Sequence, residues 1–167
     1  MSQFSGKAKT MCTGISLASC ELPEQLVTQH KLSDRIVRRS VGADLEIHFL
    51  YRHRQPLIPA WFENQLQIFP WGNRDNANSR LPRTGWCQLE SLEAGHWNWL
   101  TPESVEIPAT FGREKGIWYQ VREGMRGILV RDEQNHPHIY MLTTPASHYY
   151  EVMTRNKRMP VLVGEEI

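Results

Sequence analysis

Residues 138–163 read HIYMLTTPASHYYEVMTRNKRMPVLV. Three elements are written into this stretch. HIYMLTT, residues 138–144, is rich in apolar, aromatic and β-branched side chains and predicts a strand. TTPASHYYEVM, residues 143–153, predicts a helix, with Thr144 as N-cap and Pro145 at the first helical position, where a missing N–H costs nothing. RMPVLVGEEI, residues 158–167, holds a last short strand.

The same mixture recurs upstream. DLEIHFLY, residues 44–51, alternates Leu45, Ile47 and Phe49 against polar partners, as a half-buried strand does. NQLQIFPWG, residues 64–72, alternates through Leu66 and Ile68, and Pro70 ends that strand or confines it to an edge. IWYQV (117–121) and RGILVRD (126–132) add two more strands, and the NHP that follows reads as a turn. SCELPEQLVTQHKLS, residues 19–33, predicts a short helix with Leu22, Leu26, Val27 and His30 on one face and Pro23 in the first turn. GNRDNANSRLPRTG, residues 72–85, is a polar loop carrying Arg74, Arg80 and Arg83. Residues 1–10 are small and polar, which predicts a flexible leader or a mis-assigned start before one domain over 11–167. Many short strands with a few helices predict an α+β fold.

Bulk composition narrows the partners. The 167 residues carry 40% hydrophobic and 22% charged side chains, ordinary for a globular domain. The net charge of +1 gives no global basic field, so a nucleic-acid surface must come from a local patch. Three cysteines, Cys12, Cys20 and Cys87, form no paired spacing, and the seven histidines show no ligand spacing with them. No metal and no cofactor is expected. No apolar run approaches the roughly 20 residues that span a bilayer. A reducing cytoplasm, in which thiols stay free, is the expected location, and a monomer the expected state.

Four segments, in order, resemble one family, the SRAP family of SOS response-associated peptidases, which process abasic sites in single-stranded DNA. MCTGISLAS (11–19) resembles the family's opening Met-Cys-Gly-Arg and strand, without its Gly-Arg. QIFPWGNRDNANSR (67–80) resembles R-W-G-L-I-P followed by N-A-R-A-E. VEIPATFGREKG (105–116) resembles C-L-I-P-A-D-G-F-Y-E-W. MLTTPASHYYEVMTRNKRMPVLV (141–163) resembles I-I-T-T-x-A-N…H-D-R-M-P-V-I-L, the most specific of the four. The resemblance implies a single compact domain on a curved, barrel-like, mostly antiparallel sheet with a few short helices. It implies Cys12 as nucleophile, Asn78 as the family's Asn and Glu114 as its Glu. The family's His falls on Asn156, a departure.

The chemistry needs these groups. An open abasic site carries an aldehyde. An N-terminal cysteine offers an α-amine for a Schiff base and a thiol that closes a five-membered thiazolidine. Only a free α-amine at Cys12 can do this, so Met11 must be the start or the preceding residues must be removed. Glu114 would be general acid and base. Asn78 would orient the sugar, with Asn76 a rival in register. The resemblance further implies Trp71, Arg80 and Arg158 against single-stranded DNA, with Arg83 and Arg74 beside them. Each residue has a plainer reading. Cys12 reads also as a small buried residue of a first strand, Glu114 as a solvated charge, Trp71 as core, and Arg74 as a surface cation. The cluster Arg35 to Arg39 reads as a basic edge or a solvated helix end. His148 is the histidine nearest in sequence to Asn156 and reads as a substitute or as helix surface. At the level of the whole protein, a covalent abasic-site enzyme stands against a relative that binds the strand without chemistry, and against an unrelated interaction domain.

Overall fold

Short strands dominate the regular structure in the computed structural model, which describes residues 12–75 and 80–164. In chain order the elements are β1 (Gly14–Ala18), α1 (Glu24–Gln29), β2 (Ile36–Val37), β3 (Glu46–Leu50), β4 (Leu57–Phe62), β5 (Gln65–Pro70), β6 (Trp86–Gln88), α2 (Leu89–Glu93), β7 (Glu103–Ile107), β8 (Phe111–Glu114), β9 (Ile117–Gln120), β10 (Met125–Arg131), β11 (Pro137–Pro145), α3 (His148–Thr154) and β12 (Arg158–Pro160). The fold is α+β. Its strands form a sheet ordered β2-β3-β1-β8-β9 and a second ordered β12-β11-β10-β7-β4-β5, with β6 added to β11. Every strand pair is antiparallel except β6 with β11. No closed barrel is found among the described residues, although a parallel bridge, Trp71↔Ile139, joins the chain just after β5 to β11.

The main core lies where inward side chains of both sheets meet. Ile15, Leu17, Ile47 and Phe49 of the first sheet join Ile58, Ile107, Leu129 and Met141 of the second in one cluster. The alternate residues Ile128, Val130, Tyr140 and Leu142 are also buried, in a second cluster with Cys87, Trp97 and Leu100. β10 and β11 are thus covered on both faces, which explains their near-continuous apolar runs.

Several expectations change. The helix predicted over 143–153 is shorter, because Thr143, Thr144 and Pro145 stay in β11 opposite Pro160, Met159 and Arg158 of β12. The N-cap is therefore Ser147, not Thr144, and its Oγ accepts the Tyr150 N–H at 3.2 Å. The helix predicted over 19–33 is only α1, with Pro23 at its N-cap. β4 does not announce itself, since Pro59 reads as a strand breaker; it is tolerated where β4 meets β7 only at Trp61↔Glu106. The Arg35–Arg39 cluster starts at the end of a 3-10 turn, Ser33–Arg35, and runs through β2, and Arg39 packs 3.8 Å over the Phe111 ring.

Candidate active site

The β1–β8 register places the site. Gly14 pairs with Arg113, and the ladder continues as the Thr13 N–H donates to Arg113 O at 2.7 Å. On the far side the Tyr51 N–H donates to Thr13 O at 2.9 Å. Clamped from both sides, the chain brings Cys12 to the end of β8, where its backbone N–H donates to Glu114 Oε2. Cys12 therefore precedes β1 rather than lying in it. Its φ of 28 is one that residues with a side chain seldom take.

Glu114 owes its position to a hairpin. Lys115 and Gly116, at φ 48 and 80, form the two-residue turn between β8 and β9. Asn156 arrives from a third direction. α3 ends at Arg155 in a left-handed conformation, which turns the chain into β12 and leaves Asn156 at the corner. Lys115 Nζ donates to Arg155 O at 2.9 Å and ties that corner to the hairpin. Asn156 Nδ2 donates to Glu114 Oε1 at 3.1 Å, while its Oδ1 accepts the Arg158 N–H at 3.1 Å.

Two residues that sequence reasoning does not single out complete the site. Tyr119 OH donates to Cys12 Sγ at 3.3 Å, and Tyr150 OH donates to Tyr119 OH at 3.4 Å. The Tyr150 hydroxyl also faces the Glu114 carboxyl closely enough to influence its proton affinity. The available signal was the pairing of Gly112 with Tyr119 across β8 and β9, a glycine under an aromatic ring.

Burial governs the electrostatics. Cys12 and Glu114 are both fully buried, so Glu114 is not a solvated charge. Burial raises the Glu114 pKa above the usual carboxylate value, and its bonds from Asn156 and the Cys12 N–H, with the Lys115 charge, pull it partly back. Burial pushes the Cys12 thiol up to about 11, helped by the Glu114 charge and opposed by the Tyr119 hydrogen bond. Tyr119 and Tyr150 are raised by the same desolvation and stay neutral phenols.

Beside Thr13 opens a groove of about 530 Å³. Arg52, Arg74, Arg113 and Lys115 line it with Tyr51 and Trp86, and among the described residues no carboxylate does. The Tyr51 hydroxyl and Trp86 Nε1 are buried without a hydrogen-bond partner.

The expected nucleic-acid residues fare differently. Trp71 is core, 1% exposed, with Nε1 donating to Gly85 O. It backs the ring pair that does reach the groove, lying 5.2 Å from Tyr51 and 5.9 Å from Trp86. Its large ring is more stable packed than stacked on a base. Arg158 is committed to Glu90 at 2.7 Å and to Thr143 O at 2.9 Å. Arg80 and Arg83 are exposed outside the groove, Arg80 over the Trp99 ring at 5.9 Å. Arg74 is no free surface cation: it donates to Tyr51 O at 2.6 Å and His53 O at 2.8 Å. His148 is exposed at the start of α3, whereas Tyr150 is the residue of that helix that turns inward. Asn78 and its rival Asn76 lie outside the described residues, as does the leader.

Among the described residues no cluster of His, Cys, Asp or Glu could hold a metal ion, and no helix is long and apolar enough to cross a membrane. Comparison with protein-family models, curated proteins and solved structures returns no match.

Proposed function

We propose that this protein captures abasic sites in single-stranded DNA through Cys12, as part of a DNA-damage response, after the residues before Cys12 are removed. One observation carries the reading. Cys12, Glu114 and Asn156, separated by 102 and 42 positions, meet through hydrogen bonds at a single carboxyl.

The Cys12 nitrogen, once a free amine, attacks the sugar aldehyde. Glu114 would take a proton from that nitrogen and return it to the departing hydroxyl, and burial shifts its pKa upward, the direction that favours holding that proton. Asn156 holds the carboxyl but has no proton to exchange near pH 7. The same Glu114 can serve the earlier cut before Cys12, where the φ of 28 places backbone strain. The strand lies in the groove, phosphates against Arg52, Arg113 and Lys115, and bases against Tyr51 and Trp86. The two sheets stand for the curved, barrel-like body of the resembled family. A reducing compartment keeps the thiol available.

The test has three parts. Intact mass should show loss of residues 1–11. The processed protein should trap an abasic single strand in a complex that survives denaturation, and Cys12→Ala should abolish it. Arg113→Ala and Lys115→Ala should each flatten the salt dependence of strand binding by about 0.7 in log–log slope. Unprocessed protein that binds strands with no adduct would leave a binding module only.

A further inference from the structure

Closing the thiazolidine moves one proton. The Cys12 S–H bond breaks, an S–C bond forms to the imine carbon, and the imine nitrogen gains an N–H. Nothing is oxidised or reduced, and the proton count is unchanged. For an exposed cysteine, water carries that proton. Here sulfur and carboxyl are both buried, so protein groups rather than bulk water surround that proton.

A route exists. From Cys12 Sγ, hydrogen bonds run to Tyr119 OH at 3.3 Å and on to Tyr150 OH at 3.4 Å. The Tyr150 hydroxyl faces Glu114 in turn, and Glu114 Oε2 accepts from the Cys12 nitrogen. The chain starts on the sulfur of one residue and ends on the nitrogen of the same residue. Among the described residues, the two phenols and the carboxyl are the exchangeable side chains along this path, and no histidine is.

We propose that Tyr119, Tyr150 and Glu114 form a proton relay that carries the thiol proton of Cys12 to its own nitrogen during ring closure. As sulfur adds to the imine carbon, Tyr119 takes the S–H proton and passes its own to Tyr150. Tyr150 passes its own to the Glu114 carboxylate, which delivers a proton to nitrogen. Hydroxyl hydrogens rotate to suit each direction, and every relay group ends as it began. Tyr119, which touches the reacting sulfur, is a catalytic residue. Tyr150 acts through Tyr119 and Glu114.

Gly112 supports the assignment independently. A Cβ there would lie 2.4 Å from both Cζ and the hydroxyl of Tyr119. The bare glycine is what lets this phenol lie across β8 and reach Cys12.

The substrate in this proposal rests on the abasic-site reading, and the experiment separates the two. The full chain, carrying a specific protease site before Cys12, is folded and then cut to expose the amine. Native protein, Tyr119→Phe, Tyr150→Phe and the double variant are mixed with an abasic oligonucleotide or with glycolaldehyde. Borohydride trapping reports the imine, which needs only the amine; the adduct formed without borohydride reports the ring. Tyr119→Phe should leave imine formation unchanged and slow ring closure at least tenfold. Tyr150→Phe should slow it comparably, and the double variant should be no slower than Tyr119→Phe, because one broken link breaks the chain. Packing damage would instead slow both steps or accumulate. Native ring-closure rates in Tyr119→Phe, with either aldehyde, overturn the relay. Tyr119-dependent closure on glycolaldehyde without any DNA adduct keeps the relay and removes the abasic-site reading. Closure with neither aldehyde in native protein overturns both.

Discussion

Cys12 and Cys87 are both free and buried, and burial pushes their thiols up to about 11 and about 12. By burial alone they are equally inert, since the thiolate is the nucleophile. Their neighbours separate them. Cys87 packs in an apolar cluster with Ile128, Val130 and Leu142, and its Sγ, like that of Cys12 with Gly14, donates to a backbone carbonyl, here Gln88 at 3.6 Å. Cys12 has a phenol on its sulfur and a carboxyl on its nitrogen. Burial can suppress or prepare a thiol; what decides is whether a proton acceptor is buried with it.

The sharpest way to break this contrast is to remove each sulfur. Cys12→Ala should eliminate the denaturant-resistant adduct completely. Cys87→Ala should keep the adduct at the native rate and lower stability by about 1 kcal/mol through a small cavity. Denaturing gels and urea melts of both variants check this, and loss of adduct in a folded Cys87→Ala protein would erase the distinction.

A smaller effect is expected from crowding the Cys12 neighbourhood. Gly112→Ala drives a methyl into the Tyr119 ring. Overpacking of this kind costs about 1–3 kcal/mol, and displacement of the phenol should also slow ring closure. A stable Gly112→Ala protein with native closure would place the Tyr119 hydroxyl outside the chemistry.

The smallest effect is a pH slope. Glu114 has a folded pKa above its ordinary 4.5, so the folded state favours the protonated form. That contribution is fully present below 4.5 and is lost as pH rises through the folded value. The Tm difference between Glu114→Gln and native protein should therefore shift in the variant's favour across that window, by no more than about 1.4 kcal/mol per pH unit. A difference that stays flat would mean that Glu114 is as well solvated as in the unfolded chain, and Cys12 would then differ less from Cys87 than its contacts suggest.

The strands at 44–51, 64–72, 117–121, 126–132 and 138–144 were legible because side-chain periodicity and β-rich composition are local properties. β4 and β7 were not, because Pro59 and the charges Glu103 and Glu106 hide their pattern, and long-range pairing overrides it. The Thr144 cap failed for the same reason: β12 holds residues 143–145 in a strand. Cys12, Glu114 and Asn156 were picked out through the resemblance of their segments to SRAP motifs, not by residue type alone. Trp71 and Arg158 could not be sorted into groove or interior, since an aromatic ring and an arginine serve both places equally well.

By itself, then, the sequence determined the α+β mixture and most of the strands, and its resemblance to SRAP segments pointed to a carboxyl and an amide to set beside Cys12. Tertiary structure alone decided that Tyr119 and Tyr150 stand between sulfur and carboxyl, that Glu114 is buried, and that Arg113 and Lys115 rather than Arg158 face the groove. The reason is physical. Periodicity depends on neighbours along the chain, whereas a hydrogen bond between Tyr119 and Cys12, 107 positions apart, depends on strand register. Proton affinity depends on how much water is excluded, and that exists only once the sheets have packed.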